Sequence, residues 1–341
     1  MSDIDKLSFI IQTSYAGEVD SAKLTEGAAE GMMNVLGDPH SVYMTEEEYQ
    51  AFIEDMEAFY TGIGVEVSMQ ENDMVVISVF EESPASKAGI CPGDTIKRVD
   101  DIAVSAETYK EAVRAMRDKE KKEVTIALVH EGETKTVTVT PDTINIETVS
   151  TKQYGDIFYI SIRGFDSPTE GEMAHAIEKA KQCECTHMVL DLRDNPGGLL
   201  RSAAAIADMF LPTCDIVHIE DKNGKQHDNY QSDADCITMP LVVLVNEDSA
   251  SASEVLAATL RDNQRAVLVG AKTYGKGSVQ TIIKLKEGAA KLTIAHYFTP
   301  GGYVIDGNGI EPDYPVAQGE EDTQLQKALE IVKTITNPIQ K

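Results

Sequence analysis

Three serines, Ser249, Ser251 and Ser253, lie in the run Val243-Leu-Val-Asn-Glu-Asp-Ser-Ala-Ser-Ala-Ser-Glu254, between an apolar stretch and a helix-like pattern. A hydroxyl there meets the free N–H groups and positive dipole end of a helix, which can hold an oxyanion during attack on a carbonyl. The same residues admit a plainer role, because Ser251-x-x-Glu254 also fits a capping box. Further along, Lys276 stands between Gly275 and Gly277, which let the backbone pack closely and leave the lysine in a crowded position. Burial disfavours an ammonium ion, and bringing its pKa from about 10.4 to near 7 takes about 4 to 5 kcal/mol. A neutral lysine can remove a serine proton, so Ser251 and Lys276 together suggest nucleophilic catalysis. Gln280 is a neutral amide that can orient the amine without holding a proton on it. The net charge of −27 favours the protonated amine, so the local site is expected to exclude carboxylates.

The competing use of this stretch is a phosphate loop, since Gly270-Ala-Lys-Thr-Tyr-Gly-Lys276 matches GxxxxGK. Gly277 stands where a Ser or Thr is needed for magnesium. Val279, Thr281, Ile283 and Leu285 then alternate as a strand, where a phosphate loop opens into a helix. A second Gly-rich turn, Asp191-Leu-Arg-Asp-Asn-Pro-Gly-Gly198, follows another apolar strand and offers an oxyanion donor from Gly197 or Gly198; a simple turn fits it as well. Gly62-Ile63-Gly64-Val65 leads into a strand, where main-chain N–H groups can meet a peptide carboxylate and the strand edge can pair with the peptide. A plain hairpin turn is the alternative.

The elements that must position these residues follow from periodicity. Residues 1 to about 55 read as helix, broken at Asp38-Pro39, with Thr45 and Glu48 as a cap and its partner. From Tyr60 to about Pro141 the pattern changes to short alternating strands around one amphipathic helix, a compact β-rich module. Strands and helices then alternate: strands at 157–162, 188–192, 241–245 and 266–269, helices at 172–181, 199–210 and 251–262. That order predicts an α/β core with a largely parallel sheet. A helix over 323–335 closes the chain. The division expected is a helical N-terminal region (1–58), the β-rich domain (60–141) and the core (142–341).

Composition narrows the functions. A chain of 341 residues with 42% apolar content suits two or three domains with sizeable cores. No apolar run approaches the roughly 18 residues of a membrane span. With 57 acidic against 30 basic side chains, nucleic acid and anionic membrane are excluded as broad partners. Five cysteines make no disulfide framework, and Cys183 and Cys185 lack the second pair of ligands that a zinc site needs. The N-terminus lacks the basic region and long apolar core of a signal peptide.

Taken together, these motifs resemble the carboxyl-terminal processing proteases, the tail-specific serine proteases of the S41 type. The resemblance runs from about residue 7 to 316 and rests on Leu36-Gly-Asp-Pro-His-Ser-Val-Tyr43, Gly62–Val65, Ser83–Gly89 with Pro92–Asp94, Asp191–Gly198, Ser249–Glu254, Thr273-Tyr-Gly-Lys-Gly277 and Gly309–Asp313. It implies an α/β ClpP/crotonase-like protease core with an inserted β-rich PDZ domain and a helical N-terminal region. It assigns Ser251 as nucleophile, Lys276 as general base, Gln280 as the orienting third residue, and an oxyanion hole from the N–H of Ala252 and of the Gly197-Gly198 turn. It implies no metal or cofactor, protein or peptide C-terminal tails as partners, and an extracytoplasmic location; pairing of the terminal helices between protomers, in a homodimer, is left open by the sequence. His296 stands where the family often has a basic residue, before its Tyr-Tyr/Phe-Thr-Pro stretch. Two other functions remain to be weighed: a PDZ-bearing scaffold with an inactive core, and a crotonase-like acyl-CoA enzyme. Neither accounts for the pairing of Ser251 with Lys276.

Overall fold

The computed structural model describes residues 2–227, 230–233 and 235–335. These residues form two compact units: Glu57–Ile146 is one, and the residues up to Met56 together with those from Glu147 onward are the other.

The larger unit is built on a six-stranded sheet in the order Val149–Tyr154, Ile157–Ile162, His187–Asp191, Leu241–Val245, Ala266–Gly270, Tyr314–Pro315. The first pair is antiparallel and the others are parallel. Every residue of Leu241–Val245 is buried, as a central parallel strand requires. Its two-residue period divides it between two cores. Leu241, Val243 and Val245 pack with the helices Thr169–Gln182, Leu200–Asp208 and Ala252–Asp262. Val242 and Leu244 pack with Ala328, Ile331 and Val332 of the helix Thr323–Val332. Each such fully buried side chain contributes about 1.5–3 kcal/mol.

A second, antiparallel sheet has the strand Ala289–Phe298 at its centre; of its strands, periodicity anticipated only Ser278–Lys284, from the alternation of Val279, Thr281 and Ile283. Ala289–Phe298 pairs with Ser278–Lys284, with Asp215–Asp221 and with a three-residue strand, Val42–Met44. That last strand interrupts the N-terminal region expected to be helical. The helices there are Asp3–Ser14, Ser21–Asn34 and Glu46–Met56, and none contains a buried residue. The predicted cap of the third is present: Glu48 N–H donates to Thr45 Oγ1, and Thr45 N–H donates to Glu48 Oε2.

The smaller unit is a sheet in the order Val65–Gln70, Asp73–Val79, Thr95–Val99, Val124–His130, Glu133–Val139, packed on the helix Tyr109–Met116. Val65–Gln70 is therefore an edge strand. Cys183 and Cys185 are disulfide-bonded to each other, a pairing the cysteine count did not suggest.

One ionic junction ties the last helix of the larger unit to its sheet. Arg193 donates to Asp191 (2.6 and 3.0 Å) and to Asp322 (2.6 and 2.9 Å), and Asp322 also caps the helix Thr323–Val332. Burial opposes the guanidinium charge, but both carboxylates hold it protonated. Removing one partner from such a junction strands a buried carboxylate, so Arg193→Ala is expected to lose about 3 kcal/mol of stability, read as a lowered urea midpoint.

Candidate active site

Ser251 sits between the strand Leu241–Val245 and the helix Ala252–Asp262 with φ 55° and ψ −116°, a backbone state rare for a residue with a side chain. Hydrogen bonds to the Gly-rich turn fix it there. Ala250 N–H (3.0 Å) and Ser253 Oγ (2.9 Å) both donate to the Asn195 carbonyl, and Ser249 Oγ donates to the Leu192 carbonyl at 2.8 Å. The Ser251 hydroxyl faces the phenol of buried Tyr297. Burial pushes that phenol up to about 12, and its hydrogen bond with Ser251 partly offsets the rise.

The turn itself separates the two glycines. Gly197 N–H donates to Asn195 Oδ1 at 2.9 Å, so that donor is occupied. Among the described residues, the N–H groups of Gly198 and Ala252 donate to no other group. Gly197 must be glycine: its φ is +105°, and a Cβ would lie 2.8 Å from Ser251 Cβ. A Cβ on Gly198 would lie 2.3 Å from the Phe165 carbonyl oxygen.

Lys276 is on the loop that enters the strand Ser278–Lys284. Gly277 N–H donates to Asp306 Oδ1 (3.0 Å) and Gly307 N–H to the Gly275 carbonyl (2.9 Å). A Cβ on Gly277 would approach Asp306 N to 2.3 Å, so the close packing expected of these glycines is present. Burial lowers the amine's pKa and nearby Lys291 lowers it further, against opposing contributions from Asp38 and Glu254. The site thus does not exclude carboxylates as the net charge suggested. Lys291 offsets their charge, and Glu254 is engaged by four donors.

Glu254 is the residue whose importance sequence reasoning missed. Its side chain is completely buried. Oε2 accepts from Ser251 N–H (2.9 Å) and Lys276 N–H (2.8 Å), while Oε1 accepts from Gly275 N–H (2.8 Å) and Thr273 Oγ1 (2.5 Å). The capping-box pattern was legible, but a cap explains only the bond to Ser251. The other three donors come from the lysine loop.

Gln280 Nε2 donates to Ser278 Oγ (2.9 Å) and Thr293 Oγ1 (3.2 Å). Among the described residues, no hydrogen bond joins the Ser251 hydroxyl to the Lys276 amine, or that amine to Gln280. In the smaller unit, Ile63 and Gly64 are buried, and the Gly64 carbonyl accepts from Phe80 N–H at 3.0 Å. The N–H groups of Ile63 and Gly64 donate to no described group, just ahead of the edge strand that starts at Val65. Gly62 ends the preceding strand, Phe59–Gly62.

The chain thus combines an α/β unit with a serine at a helix start and a β-rich unit with an edge strand ahead of free main-chain N–H groups. Comparison with known proteins identifies the family. The model of Peptidase family S41 matches residues 156–316, that of the PDZ domain 61–140, and that of the activating protease CtpB N-terminal domain 1–48. A Staphylococcus aureus (strain COL) protein named "Probable CtpA-like serine protease" is 35% identical over 337 residues, covering 97% of this chain and 67% of the relative. A Staphylococcus epidermidis protein of the same name is 35% identical, covering 93% and 66%. Among solved structures, a photosystem II D1 C-terminal processing protease aligns with a TM-score of 0.58 at 29% identity, over 96% of this chain and 90% of that one. The chain belongs to peptidase family S41, as a CtpA-like serine protease with a PDZ domain. Among the described residues, no helix is long and apolar enough to cross a membrane.

Glu254→Gln sets an NH2 group against main-chain N–H donors and shifts the serine and lysine segments apart. Displacements of this kind cost about 100-fold in rate, so kcat/KM for peptide hydrolysis is expected to fall by about that factor.

Proposed function

We propose that the protein cleaves polypeptides near their C-termini, with Ser251 as nucleophile, Lys276 as general base and Gln280 as the residue that orients the base. The observation that carries this reading is the buried Glu254 carboxylate, which holds the main-chain N–H groups of Ser251 and Lys276 on one oxygen atom. Ser251 Oγ attacks the scissile carbonyl as its proton passes to Lys276 Nζ. The Ala252 and Gly198 N–H groups, free of other acceptors, donate to the tetrahedral oxyanion. The protonated amine then gives its proton to the leaving nitrogen, and the C–N bond breaks. Water, deprotonated by Lys276, attacks the ester and regenerates Ser251. Gly198 is preferred to Gly197 as the second donor because the Gly197 N–H is taken by Asn195.

The substrate tail binds the smaller unit. Its carboxylate takes the free N–H groups of the Gly62–Val65 loop, and its backbone extends the sheet along Val65–Gln70. The exposed apolar side chains of the first helices, including Leu7, Phe9 and Ile10, support a homodimer. An extracytoplasmic location rests on the family resemblance. The rival, a peptide-binding scaffold with an inactive core, is opposed by the strained backbone at Ser251 and the depressed Lys276 amine, neither of which binding alone requires.

Ser251→Ala and Lys276→Ala are each expected to lower kcat/KM at least about 10⁴-fold while leaving the unfolding midpoint in place. Turnover retained by either purified variant removes the dyad. Only the neutral amine accepts a proton, so the wild-type rate should rise with pH along a limb centred below the ordinary lysine value. Amidating the C-terminus of a peptide substrate removes a charge-assisted hydrogen-bond acceptor, for an expected loss of about tenfold in kcat/KM; an unchanged rate removes the carboxylate-recognition part of the proposal.

A further inference from the structure

The segment Asp38-Pro39-His40-Ser41 enters the catalytic sheet from the N-terminal region, far in sequence from Ser251 and Lys276. The strand Val42–Met44 pairs with Ala289–Phe298 in the register Val42↔Lys291, and the strand Ser278–Lys284 pairs with the other edge in the register Gln280↔Thr293. Thr293 therefore lies between the N-terminal segment and Gln280. Ser41 Oγ accepts from Thr293 N–H at 3.0 Å and donates to Asp38 Oδ2 at 2.6 Å. His40 N–H donates to Asp38 Oδ1 at 2.9 Å. Thr293 also helps to lower the Asp38 carboxyl, and its hydroxyl oxygen accepts from Gln280 Nε2 at 3.2 Å. The second N–H of that amide goes to Ser278 Oγ. With both amide hydrogens bound, Gln280 presents its Oε1 as the remaining acceptor.

We infer that Asp38 is a positioning residue for hydrolysis: through Ser41 and Thr293 it sets the orientation of the Gln280 amide, and its charge acts on Lys276. The inference rests on the proposed roles of Lys276 and Gln280. Three observations support it beyond the chain of bonds. Hydrogen bonds from Ser41 and Thr293 bring the Asp38 carboxyl to about 2, so it is an anion at any working pH. Its charge opposes neutralisation of the Lys276 amine. The groups facing that amine come from three parts of the fold: Asp38 and His40 from the N-terminal segment, Lys291 from the central strand, and Glu254 from the serine-bearing helix. The His40 imidazole is itself pushed down, first by burial and then by Lys276 and Lys291, against the opposing charges of Asp38 and Asp306.

The two effects separate experimentally. In full-length protein, Asp38→Asn is expected to lower kcat on the pH plateau by about tenfold with KM changed less than about twofold, because the base is misoriented while the substrate contacts remain. It should also move the acid limb of kcat/KM to lower pH, since a negative charge beside the amine is gone. Thr293→Val breaks the same relay without changing charge, so the plateau falls and the limb stays. Thr293→Ser restores the hydroxyl and the plateau. A merely structural role would lower the unfolding midpoint without moving the limb, and Thr293→Ser would not rescue the rate; either result overturns the inference, as does a wild-type plateau in Asp38→Asn. An active Lys276→Ala removes the underlying dyad instead. An inactive Lys276→Ala beside a fully active Asp38→Asn removes only the part assigned to Asp38.

Discussion

The structure of the site depends on one buried carboxylate. Glu254 is completely buried, and four donors converge on its two oxygens. An unpaired carboxylate at that depth would cost several kcal/mol. The charge is tolerable only while the serine segment and the lysine loop both present their N–H groups to it. The same bonds that satisfy Glu254 therefore hold those two segments in register. This explains how two chain segments without regular structure of their own can keep a fixed separation.

The amine is governed by an electrostatic balance rather than by isolation from charge. Burial and Lys291 favour its neutral form, while Glu254 and Asp38 favour the protonated one. A lysine alone in an apolar pocket would lose its proton more completely and would lack the polar partners needed to aim it. The surrounding carboxylates are themselves committed, Glu254 to its four donors and Asp38 to Ser41, His40 and Thr293, so neither forms a direct ion pair with Lys276. Asp306 is occupied in the same way, fixing the backbone of Gly277.

Sequence patterns located most of the larger sheet because its central strands are continuous apolar runs between helices of ordinary length. Leu241–Val245 is the clearest case, and Thr45 with Glu48 shows that a cap can be read with equal directness. Ala289–Phe298 was not legible, since its alternation is weak and its partners lie as far away as Val42 and Asp221. The three-residue strand Val42–Met44 was hidden for a related reason: so short a strand exists only by pairing. At the site, the serine, the lysine and the Gly-rich turn stood out by type and spacing. The choice between Gly197 and Gly198 did not, because it depends on whether the Asn195 side chain takes up one N–H group.

Local chemistry along the chain thus determined the element types, the β-rich module between helical and α/β regions, and the residues able to carry nucleophilic catalysis. These properties follow from side-chain period, turn residues and the reactivity of individual groups, all of which act over a few positions. Only the tertiary structure decided which backbone donors remain free, that Glu254 joins the serine and lysine segments, and that hydrogen bonds run from Asp38 through Ser41 and Thr293 to Gln280. Those relations depend on hydrogen bonds between groups separated by tens or hundreds of residues. Such bonds have no signature in sequence, because each partner alone looks like an ordinary cap, turn or strand residue.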